Sequence, residues 1–109
     1  MIKIKVPIYD KSIYIYTEGE GEQAIAKMNK FYGKNDERVG RLENAVGISI
    51  GNVLYIGDNS INTLAHELSH CIDDLVELVE IKDEEAKAYL FGYVFEQVCT
   101  KLHIVWEKK

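Results

Sequence analysis

The segment His66-Glu67-Leu68-Ser69-His70 constrains this chain more than any other. Residues four apart share one face of a helix, so a helix here projects both imidazoles together. Neutral imidazole is a good zinc ligand, and two from one helix face can hold one ion. Glu67, next to the first histidine, can accept a proton from a water that such an ion has acidified. Each residue type therefore has a mechanical reason for its position. The segment predicts a helical divalent-metal site of the kind used in peptide hydrolysis, with Zn2+ first among the ions. Manganese and cobalt suit the same donors. The plain alternative is a solvent-facing or core-satisfied histidine pair with no metal.

The surrounding pattern supplies that helix. Asp58-Asn59-Ser60 offers capping residues, and Ile61, Leu64, Ala65, Leu68, Cys71, Ile72 and Leu75 form an apolar stripe to about Leu78. The pattern breaks near Ile81-Lys82, and Asp83 can cap a second helix reaching towards Val105, with Ala86, Leu90, Val94 and Val98 spaced by four. Upstream, residues 2–8 alternate as a half-buried strand, Asp10-Lys11 can turn, and Ser12 to Thr17 alternate again as a hairpin partner. Glu20 to Tyr32 reads as a helix ended by Gly33. Residues 33–46 form the longest loop. Ile48 and Ile50, then Val53 to Ile56, read as two strands about a tight Gly51-Asn52 turn. The predicted order is ββαββαα: an α+β fold with a small, mainly antiparallel sheet in one domain over 1–109.

A catalytic zinc site has three protein ligands plus water. The second helix offers Glu84, Glu85 and Glu96. A plain antiparallel helical hairpin centred near Ile81 sets Tyr93 to Glu96 opposite the histidines and leaves Glu85 a turn or two too far along the axis. An early end to the first helix, or a linker that doubles back, brings Glu85 into range. Asp73 and Asp74 are further candidates, and fit better as hydrogen-bond partners of the histidine N–H groups.

Thr63-Leu64-Ala65-His66-Glu67-Leu68-Ser69-His70 resembles the zincin signature, and Asp83-Glu84-Glu85-Ala86-Lys87-Ala88-Tyr89-Leu90-Phe91-Gly92-Tyr93 resembles the second helix of small gluzincin-type proteins. The likeness is closest to short metallopeptidase-like proteins of phages and mobile elements, and the ImmA/IrrE-type peptidases share the broader pattern. It covers about residues 53–96. It implies a minimal zincin-like domain with an edge strand beside the cleft, an active-site helix and a glutamate helix, and it implies Glu85 as third zinc ligand. No Gly or His follows at the metzincin positions.

Several further residues carry a functional and a plain reading. Tyr89 shares the face of Glu85 and can aim its hydroxyl at an oxyanion; the plain reading is a core tyrosine. Gly92 offers room for close helix packing. His103 lacks a partner at ligand spacing and reads as a surface or packing residue, and Trp106 as packing for the last turn. Val53 to Ile56 is either a sheet edge to which a peptide can add as a strand or an interior strand. Cys71 and Cys99 sit among apolar residues and read as buried thiols.

The net charge of −5 argues against nucleic acid as a partner. No apolar run is long enough to span a membrane, and the lysine-interrupted N-terminus is unlike a signal peptide, so the expected location is the cytoplasm of its own or a host cell. Asp58 to Glu85 holds nine acids against Lys82, while Lys27 to Arg41 is basic. This is either solvated surface or an acidic surround that favours a metal cation and a basic substrate segment. The leading expectation is a zinc-dependent hydrolase cleaving a peptide bond in a specific protein. The alternative is an inactive, metal-stabilised module that binds a host or regulatory protein.

Overall fold

The computed structural model describes residues 1–6, 10–33 and 46–102. Lysine alternates with isoleucine and valine in β1 (Ile2–Val6), which turns at Asp10 and pairs antiparallel with β2 (Lys11–Thr17), Ile4 facing Ile13. After α1 (Gly21–Tyr32), β3 (Gly47–Ile50) and β4 (Val53–Ile56) form a tight antiparallel hairpin. Its turn needs glycine at position 51, where φ is +57° and an added Cβ would lie 1.9 Å from the Tyr32 hydroxyl. The chain closes with α2 (Ile61–Leu78) and α3 (Glu84–Leu102).

The element order is ββαββαα, as the sequence predicts, and the class is α+β. The sheet is mixed. Its spatial order is β1-β2-β4-β3, with β2 and β4 parallel at the centre and the two outer pairings antiparallel. Val53 to Ile56 is thus an interior strand, and among the described residues the edges are β1 and β3. The edge reading of β4 fails because β4 pairs on both sides, a long-range choice that its own residues do not reveal.

Both faces of the sheet are covered, and the central strands β2 and β4 send apolar residues to each. Ile4, Ile13, Ile15, Leu54 and Ile56 meet the apolar stripe of α2 (Leu64, Leu68, Cys71, Ile72, Leu75) and Leu90, Val94 and Val98 of α3. On the opposite face Tyr16, Ile50 and Val53 pack on Ala24 and Met28 of α1. Gly92 makes no close approach, since an added Cβ meets nothing within 4 Å, which corrects the packing role expected of it. Tyr89 is 77% exposed, which overturns its reading as a core residue. Cys71 is buried and Cys99 half-buried, and no disulfide joins them. Among the described residues no helix is long and apolar enough to cross a membrane. His103, Trp106, the helix extension to Val105 and most of the 33–46 loop lie outside the described residues.

Candidate metal centre

The first turn of α2 is fixed by its own side chains. Ser60 caps it, its hydroxyl accepting from the Thr63 N–H at 3.3 Å, and the Thr63 hydroxyl donates to Asp58 at 2.9 Å. One turn later the helix presents His66 and His70 to solvent on the side away from its apolar stripe. Their rings lie edge to face with centroids 4.9 Å apart. The sequence expectation that the two imidazoles share a face is met.

Glu67 departs from its surroundings. It is the one buried charged residue among those described, 8% exposed, while the His66 side chain is 66% exposed. The cause is β3. Gly47 sits so close to α2 that an added Cβ would lie 2.3 Å from the Thr63 methyl, 3.2 Å from the Glu67 Cγ and 3.4 Å from its Oε2. The start of the edge strand thereby roofs the carboxylate. Glu67 Oε2 stands 4.0 Å from His66 Nε2. A cavity of about 230 Å³ opens there, lined by Val46, Asn62, Thr63, His66 and Glu67. Its walls come from the residues entering β3 and the histidine-bearing face of α2. Gly47 is a site residue that the sequence reading missed; its only signal was a glycine just ahead of the Ile48-x-Ile50 alternation.

The α2–α3 corner decides what else reaches the pair. The Ile81 N–H bonds the Val76 carbonyl at 2.8 Å and the Glu80 N–H bonds that of Glu77 at 3.2 Å, with Glu80 left-handed at φ +61°. This is a Schellman stop, closed by apolar contact of Ile81 and Val76 with the same core. Asp83 then starts α3, its carboxylate accepting from the Glu85 N–H at 2.8 Å. The first helix neither ends early nor does the linker double back. Lys87 of α3 bridges to Asp73 of α2, and this contact draws Asp73 away from the expected role of orienting a histidine. Asp74 lines a different cavity, beside Cys71.

Glu84, Glu85 and Glu96 are all exposed. Among the described residues no three His, Cys, Asp or Glu side chains are gathered to hold an ion. The structure therefore brings together His66, His70 and Glu67, and leaves Glu85 and Glu96 apart from them. The donor chemistry of the pair suits a divalent metal: two exposed imidazoles on one helix face, an acidic neighbour and an open cavity.

Compared with protein-family models, curated proteins and solved structures, the chain matches none. The reading of this site rests on the chain's own residues.

Proposed function

We propose that this domain is a zinc-dependent hydrolase of peptide bonds, acting on an extended segment of a protein. The observation that carries the reading is the contrast within one helical turn: His66 and His70 open to solvent, Glu67 buried beside them under Gly47. A structural glutamate on a helix surface has no need of such a roof. A general base benefits from one, because it must be held within reach of the water it deprotonates.

His66 and His70 are assigned to hold the ion, and Glu85 to complete the ligand set, as the family resemblance implies. Glu85 is not gathered with the two histidines among the described residues, and its assignment rests on the resemblance alone. When bound, zinc supplies the Lewis acidity that polarises a carbonyl and acidifies water. Glu67 takes the proton of the attacking water on its carboxylate, which accepts no hydrogen bond from another described residue, and returns it to the leaving amine. Among the described residues β3 pairs only with β4, and its outer edge begins beside Glu67. An extended peptide paired to it would be held by main-chain hydrogen bonds with little sequence preference and would pass over the cavity.

The second reading is an inactive metal-stabilised interaction module. It is favoured by one observation: among the described residues no three His, Cys, Asp or Glu side chains are gathered to hold an ion. A Glu67→Gln chain distinguishes the two. Incubation of zinc-loaded protein with a diverse peptide mixture, read by mass spectrometry, should give metal-dependent cleavage with the wild type. The Gln variant should give none while retaining its zinc. Equal peptide profiles for both chains would reject the hydrolase and leave the interaction module.

A further inference from the structure

A second, larger cavity lies away from the histidines, where the last turn of α1, the start of β2, the β3–β4 turn and the C-terminal half of α2 meet. Its volume is about 480 Å³, within the range of small-molecule sites, about 300–1,000 Å³. Ile13, Leu75 and Cys71 give it an apolar floor, and Phe31 and Leu78 an apolar rim. Both rim residues are exposed, so the core does not account for them.

The walls are fixed by polar contacts. The Tyr32 hydroxyl donates to Asn52 Oδ1 at 2.7 Å and accepts from the Asn52 N–H at 3.1 Å. Asn52 Nδ2 donates to the Ser12 carbonyl at 2.8 Å. Three elements are thus tied around the opening before any ligand arrives. It carries charge of both signs. Lys11 from β2 and Lys30 from α1 line it, and so does Asp74 from α2. Among the described residues neither lysine forms an ion pair with Asp74. Two cations and an anion therefore border one apolar cavity without neutralising each other.

We propose that this cavity binds a zwitterionic ligand with an apolar side chain, an α-amino acid or the equivalent short peptide. Its carboxylate meets Lys11 and Lys30, its ammonium meets Asp74, and its side chain rests on Ile13 and Leu75. A purely apolar ligand would use none of the three charged residues, and a simple anion would face Asp74. Binding is non-covalent. Burial first, and Asp74 second, push the Cys71 thiol up to about 12, so no thiolate is present on the floor at neutral pH.

The test is calorimetric titration with L-phenylalanine, with phenylalaninamide, which lacks the carboxylate, and with 3-phenylpropionate, which lacks the ammonium. The wild type should bind phenylalanine at least tenfold more tightly than either analogue. Asp74→Asn should erase the preference over phenylpropionate, and Lys11→Met with Lys30→Met the preference over the amide. His66→Ala should bind phenylalanine as the wild type does, which separates this cavity from the metal reading. No heat with phenylalanine, equal affinity for all three ligands, or loss of binding in His66→Ala alone would each overturn the proposal.

Discussion

Gly47 shows how much one missing side chain can decide. The Thr63 methyl is part of a β-branched side chain with little rotameric freedom, so a Cβ 2.3 Å from it cannot be accommodated by a small rotation. Gly47→Ala should lower stability by about 1–3 kcal/mol, the usual cost of overpacking. Thr63→Ser removes the obstructing methyl, so the double variant should recover part of the loss in chemical denaturation. Additive losses would mean that the strand does not bear on the helix there. Cys71 offers a second check. Its ordinary value of 9.0 rises to about 12 in the folded chain. A raised value stabilises the fold fully below about 9, and that contribution is lost as pH climbs towards about 12, because the unfolded thiol ionises first. The difference in stability between wild type and Cys71→Val should therefore shrink or reverse over that window, measured by denaturation at fixed pH steps. A pH-independent difference would contradict the burial argument.

At the scale of elements, the corner after α2 is built on an unfavourable residue. Glu80 occupies the left-handed position of a Schellman stop, where a side chain costs roughly 1–2 kcal/mol and glycine nothing comparable. Glu80→Gly should raise the midpoint of unfolding by about 1 kcal/mol in stability, and a loss would show that the glutamate makes a compensating contact. The helices themselves were legible because their signals are local. Ser60 as cap and the Leu64-Leu68-Cys71-Leu75 stripe place α2 at Ile61–Leu78 in sequence and structure alike. The strands were legible for the same reason, and so was the Gly51-Asn52 turn. The sheet order was not. Whether β4 lies inside or at the edge depends on the parallel pairing of Tyr14 with Val53 and Thr17 with Ile56, which joins segments separated by a helix. The identity of the edge strand, and with it the role of Gly47, followed from that unseen pairing.

For the whole molecule, three layers set the site: α1, the sheet, then α2 and α3. The histidine pair was legible because i and i+4 on a helix is a rule of geometry. Whether Glu84, Glu85 or Glu96 stands with that pair was not, because it depends on how α3 packs on α2, where the Glu80 corner and the Lys87–Asp73 bridge act. The charge asymmetry read from sequence survives in space as exposed acids along α2 and at the start of α3. Ion binding to the native state alone adds stability that grows with ion concentration, so zinc should raise the melting temperature and a chelator should lower it again.

The most direct test of the central claim is metal content by mass spectrometry on protein purified without chelator or nickel, for wild type, His66→Ala, Glu85→Ala and Glu96→Ala. The account predicts about one zinc per chain in the wild type, lost in His66→Ala, weakened in Glu85→Ala and unchanged in Glu96→Ala. No zinc in the wild type after zinc is added back would contradict it, and would leave His66 and His70 as a surface pair without a metal.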